Sequence, residues 1–195
     1  MPIHLPRWSV APADTTPVQK QNFMRVQLDA IGIGISSAAG AFLPVFLARL
    51  GASNFQVGLL TSMPAFTGLF LAIPIGRFLQ GRRQIAPWFA TSRLINISFF
   101  ALTALVSVLF PAQRVLAILA IWALATLPQT LVSVAFNVVM AAVAGPRHRF
   151  SLMSRRWTIL GGVTAVTLAL AGQALSGWEF PLNYQIVFVA LSVGG

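Results

Sequence analysis

Apolar runs of membrane-crossing length alternate along the chain with short polar segments, which are by turns rich in arginine and nearly free of it. A bilayer core is about 30 Å thick, and roughly 20 apolar residues cross it as a helix. Backbone polar groups in lipid must be satisfied within the segment or by a closed barrel. Barrel strands alternate apolar and polar positions, and these runs do not, so the pattern predicts helices. Spans are expected at 26–50, 55–79, 85–110, 115–144 and 157–175, with a sixth beginning at 184. Residues 1–25 read as a cytoplasmic tail and 26–195 as one transmembrane helical bundle. The run from Tyr184 to Gly195 gives about 18 Å of helix, half a bilayer. It reads as a span cut mid-helix, in a fragment or the product of a truncated gene.

Composition agrees with the pattern. Hydrophobic residues make up 57% and charged residues 8%, and mean hydropathy is +0.81. A soluble domain of this size carries far more charge. The fold class expected is an all-α polytopic membrane protein. The partners expected are the lipid bilayer and a small-molecule solute, with no nucleic acid. The net charge of +10, from 13 Lys+Arg against 3 Asp+Glu, does not imply nucleic acid because the arginines sit at the ends of spans. Arg7, Lys20, Arg25, Arg77, Arg82, Arg83, Arg147, Arg149, Arg155 and Arg156 fall on one set of segments. Arg49 and Arg114 fall on the other, and Arg93 lies inside a span. The positive-inside rule then puts the N-terminus in the cytoplasm, in a multi-pass protein of the cell inner membrane.

The first 25 residues lack the apolar region of a signal peptide and carry Pro2, Pro6, Pro12 and Pro17. They read as a disordered or surface-lying tail, in which Trp8 beside Arg7 is placed to touch headgroups. Cysteine is absent, which excludes thiol chemistry and Cys-ligated metals. His4 and His148 belong to no metal-binding pattern. Spans hold no Ser/His/Asp group and no paired carboxylates, so an enzyme is not expected, and neither is a cofactor.

Candidate chemistry sits on the fourth and first spans. Gln129, Ser133 and Asn137 recur every four residues on one helical stripe, with Thr126 and Thr130 beside it. Gln129 lies about 21 Å along its helix, where an amide facing lipid is costly. The stripe is therefore either interhelical glue or the wall of a substrate pathway. Pro128 removes one helix hydrogen bond beside it and predicts a kink; Pro64, between Ser62 and Thr67, predicts another. Asp29, the one acid within a span, falls in the first turn of a helix beginning at 26. There the helix dipole favours a carboxylate, or the acid couples protons or pairs with Arg93 at similar depth. Gly32, Ser36 and Gly40, four apart, predict a tightly packed first helix. Gly161, Gly162 and Gly172 predict close packing of the fifth.

Two loops carry a family resemblance. Leu50-Gly51-Ala52-Ser53-Asn54-Phe55-Gln56-Val57-Gly58-Leu59-Leu60 resembles the outer turn and second-helix start of the major facilitator superfamily. In Pro74-Ile75-Gly76-Arg77-Phe78-Leu79-Gln80-Gly81-Arg82-Arg83, the residues Gly81, Arg82 and Arg83 match the end of that family's loop signature G-x-L-A-D-R-x-G-R-R/K. Pro74 replaces the signature's first Gly, and Phe78 and Leu79 replace its Asp-Arg, so its acidic latch has no counterpart. Pro146-Arg147-His148-Arg149 and Arg155-Arg156 resemble the family's basic fourth-to-fifth loop. The resemblance implies a six-helix bundle forming the N-terminal half of a secondary transporter, with a second half as partner. It also implies a solute bound between the halves and moved by alternating access, with helices one, two, four and five at the cavity. The third and sixth pack outside, which implies a structural role for Arg93. A membrane channel or a non-transporting scaffold is the alternative.

Overall fold

The computed structural model describes residues 11, 12 and 14–195. Among them all regular structure is helical: α1 (Pro17–Arg49), α2 (Asn54–Gln80), α3 (Ala86–Leu109), α4 (Arg114–Gly145), α5 (Arg147–Ala174) and α6 (Leu182–Gly194). The first five are long and apolar enough to cross a membrane. His4, Arg7 and Trp8, with Pro2 and Pro6, lie outside the described residues.

Helix starts follow local chemistry. Thr16 caps α1, its hydroxyl accepting from the Gln19 N–H at 3.2 Å while Gln19 Oε1 accepts from the Thr16 N–H at 3.0 Å. Pro17 fills the first helical turn, where its missing N–H loses nothing. These signals start α1 nine residues before the expected position 26, and the described residues of the stretch read as tail pack on the bundle. Ala11 and Phe23 are buried with Val26, Met140, Ala144 and Leu152, and Asp14 Oδ2 lies 3.2 Å from His148 Nε2. Ser53 and Gln56 repeat the same reciprocal cap at α2.

The second correction concerns the expected basic loop 145–156, which is almost entirely helix. The helical run Arg114–Ala174 breaks only at Gly145, with φ 67 and ψ 174. That conformation is essentially glycine's alone. One residue thus turns the chain, and α5 begins at Arg147 rather than near 157. By contrast, α2 runs on through Pro64 and Pro74, and α1 through Pro44.

The core draws on every helix. Ala38, Leu43 and Phe46 of α1 pack with Leu60 of α2, Phe100 and Ala104 of α3, Ile118 of α4, Ala171 of α5 and Phe188 of α6. Phe46 stacks on Tyr184 at 5.2 Å and meets Phe188 edge-on at 5.3 Å. Hydrogen bonds cross between helices where lipid offers no alternative partner. Trp122 Nε1 donates to Thr103 at 2.9 Å, Gln185 to Ser107 at 2.9 Å, and Ser192 to the Ile97 carbonyl at 2.9 Å.

Glycine marks close approaches between helices. A Cβ on Gly34 would lie 2.8 Å from the Val163 Cβ and 3.1 Å from the Leu160 carbonyl oxygen, and Thr164 donates to the Gly34 carbonyl at 3.1 Å. The contact of α1 with α5 therefore depends on Gly34. The expected tight packing at Gly161, Gly162 and Gly172 is not found: a Cβ at each would meet nothing within 4 Å. These three face outward on α5, which with α2 is the least buried of the long helices. Gly34→Leu should therefore lower stability by about 1–3 kcal/mol through overpacking. Gly161→Ala should be neutral or slightly stabilising. Thermal unfolding of both variants in an uncharged detergent checks the contrast.

Candidate functional site

Four helices line an open cavity of about 530 Å³. Polar residues reach it from each: Ser36 and Ser37 from α1, Thr61 from α2, Arg93 and Asn96 from α3, and Gln129 and Ser133 from α4. Ile33, Leu43, Leu60, Phe100 and Trp122 make its apolar wall. Some polar groups are satisfied within their own helices: Ser36 donates to the Ile33 carbonyl at 3.3 Å and Thr61 to the Gly58 carbonyl at 2.9 Å. Others are not. Gln129 Oε1, Asn96 Oδ1 and Arg93 Nε are buried without a hydrogen-bond partner among the described residues. Leaving a buried polar atom unmatched costs about 1–3 kcal/mol, so three around one cavity is a concentration that packing alone does not favour.

The stripe on α4 divides. Gln129 and Ser133 line the cavity. Thr130 turns its hydroxyl to the Thr126 carbonyl at 2.7 Å and borders a second space of about 470 Å³ against Pro64, Gly68 and Ala72 of α2. Asn137 is exposed, and its Oδ1 accepts from Arg149 at 3.4 Å. Gln129 and Ser133 line this second space too, so three of the four residues meet there and only Asn137 stands apart.

Asp29 stands 12 positions after Pro17, about 18 Å along α1. It is therefore not in a first helical turn, and the helix-end explanation of its charge is withdrawn. Its Oδ2 accepts from Arg156 Nη2 at 3.2 Å and lies 3.7 Å from Arg93 Nη2. The expected juxtaposition with Arg93 is thus present, but the tighter partner is Arg156 on α5, assigned from the sequence to a loop. Arg156 is only 2% exposed, and its guanidinium lies 4.8 Å from the Phe136 ring centre and 5.6 Å from that of Trp157. Arg93 sits 4.8 Å from the Phe89 ring centre. One carboxylate thereby joins α1, α3 and α5 at one level.

At the loop after α2, Gly81 caps the helix and Arg82 packs against two rings, 4.3 Å from the centre of Phe78 and 5.0 Å from that of Trp88. Phe78, which stands where the resembling family has its acid, supplies a cation–π seat instead. Arg83 is exposed. The cavity also departs from the helix scheme that the resemblance implies, because α3 contributes to its wall and α5 does not.

Sequence reasoning missed Asn96 and Arg156. Asn96 lies three residues after Arg93 and so on the same helical face, which was a legible signal. Arg156 was hidden by the loop assignment. Comparisons with protein-family profiles, with curated proteins and with solved structures find no match to the chain.

Removing the shared carboxylate should be far worse than removing one arginine. Asp29→Asn leaves two guanidiniums uncompensated and should destabilise by about 3 kcal/mol or more. Arg156→Gln should be the costlier arginine change and Arg93→Gln the milder, since Arg156 keeps Asp29 when Arg93 is removed. The order of the three melting temperatures in an uncharged detergent checks this.

Proposed function

We propose that the protein is the N-terminal half of a secondary transporter of the major facilitator type, moving a small solute by alternating access. The observation that carries the transport reading is the cavity, walled by four membrane-length helices and lined by Arg93, Asn96, Gln129 and Ser133; the family type rests on the loop resemblances alone. A cavity serving only as packing would be apolar or closed by internal bonds.

The exposed faces of α2 and α5 support a second bundle as partner. Gly58, Gly68, Gly161, Gly162 and Gly172 have nothing within 4 Å of a Cβ position, and small residues let helix backbones approach closely. The charge distribution supports a cytoplasmic N-terminus. With Arg156 removed from the count because it lies inside the bundle, nine basic residues remain on one side against Arg49 and Arg114 on the other.

The chain has no native cysteine, so single-cysteine variants report directly. One half has no opposing gate, so the chain alone should not transport; paired with a second half, Ser133→Cys should react with a membrane-impermeant maleimide from either side of sealed vesicles. Leu94→Cys, on the outer face of α3, should not react. Arg83→Cys should react from the cytoplasmic side alone. Labelling of Ser133→Cys from neither side removes transport through this cavity, and two-sided labelling with a steady ionic current in planar bilayers indicates a channel.

A further inference from the structure

The cavity is lined by an arginine that shares its one nearby carboxylate with a second, closer arginine. Asp14, Asp29 and Glu179 are the only acids in the chain. Asp14 is near His148, and Glu179 lies beyond the far end of α5. Asp29 alone serves the inner cluster, facing two guanidiniums. Geometry decides which of them it serves. Arg156 is 2% exposed, takes no part in the cavity wall and donates to Asp29 at 3.2 Å. Arg93 is farther from the carboxylate, at 3.7 Å, retains 13% side-chain exposure and lines the cavity. Its Nε has no hydrogen-bond partner among the described residues.

A guanidinium held in an apolar bundle without its own counter-charge is strongly disfavoured, and such groups persist where a ligand or pathway needs them. The rest of the wall sets the remaining chemistry. Asn96 Oδ1 and Gln129 Oε1 are acceptors without donors. Phe100, Trp122 and Leu60, which line the same cavity, offer an apolar surface to a carbon skeleton.

We propose that this cavity binds a small organic oxyanion, its carboxylate or phosphate seated on Arg93 and its carbon skeleton against the apolar wall. The proposal rests on the transport reading for what the binding accomplishes, and it deepens that reading by naming the solute class. Guanidinium–oxyanion contacts are charge-assisted and roughly twice as strong as neutral hydrogen bonds, so charge rather than shape should dominate selection.

The test compares 4-hydroxybenzoate with 4-hydroxybenzamide, nearly equal in shape and different in charge, by calorimetric titration of the full chain in an uncharged detergent. The carboxylate should bind about tenfold or more tightly than the amide. Arg93→Gln should erase that preference, Arg93→Lys should retain part of it, and Arg82→Gln should leave it intact. Arg93→Lys keeps the charge, so it separates lost recognition from lost folding. Equal or better binding of the amide, binding of neither probe, or a preference that survives in Arg93→Gln overturns the proposal. Dihexanoylphosphatidylglycerol binding where 4-hydroxybenzoate does not would assign the oxyanion to a lipid headgroup and overturn the solute assignment. Two-sided labelling of Ser133→Cys without anion preference sinks the oxyanion alone. Anion preference without two-sided labelling sinks transport and leaves a static anion site.

Discussion

A single carboxylate inside an apolar bundle sets much of what this structure can do. Asp29 on α1 hydrogen-bonds Arg156 on α5 and lies close to Arg93 on α3. In water such contacts contribute little, because solvent screens them. Here both guanidiniums are largely buried and each would be expensive unpaired, so the partly exposed carboxylate fixes three helices at one level. The two arginines are further held over aromatic rings. Those rings stabilise a cation without competing for the carboxylate. The cluster is nevertheless unequal, with two positive charges to one negative, and the less committed guanidinium is the one at the cavity.

Packing elsewhere follows from the poverty of driving force between helices in lipid. Lipid tails are as apolar as leucine, so association depends on close fit and interhelical hydrogen bonds. Both are present where α1 meets α5, with Gly34 admitting Val163 and its carbonyl accepting from Thr164. The aromatic cluster of Phe46, Tyr184 and Phe188 joins α1 to α6. On α2 and α5 the outward glycines touch nothing. The same residue type thus marks a tight contact and an empty surface, and only the surroundings tell them apart.

Helix count, helix type and the positions of α2, α3 and α4 were legible in the chain, each within about one residue of its structural ends. The reason is the constraint of lipid: hydropathy over twenty residues is a long and redundant signal. The two starts that differ, those of α1 and α5, depend on short-range devices. The Thr16–Gln19 cap and the one-residue turn at Gly145 are each a matter of a few atoms, and flanking polarity masked both. Gln129 and Ser133 were legible as a stripe because helical spacing alone puts them together. That Asn137 stands apart, and that Thr130 meets Gln129 and Ser133 only in the second space, was not, since the helical spacing does not say what the neighbouring helix brings to each turn.

The sequence by itself determined that the described chain is helical, that five helices are long and apolar enough to span a membrane, and that polar groups would be too few to scatter freely. Each follows from local composition and period. The tertiary structure decided which arginine takes Asp29, because Arg156 and Asp29 are 127 residues apart and no periodicity connects them. It also decided that Arg93 and Asn96 border the same space as Gln129, since a cavity is a property of four helices together and is written in none of them singly.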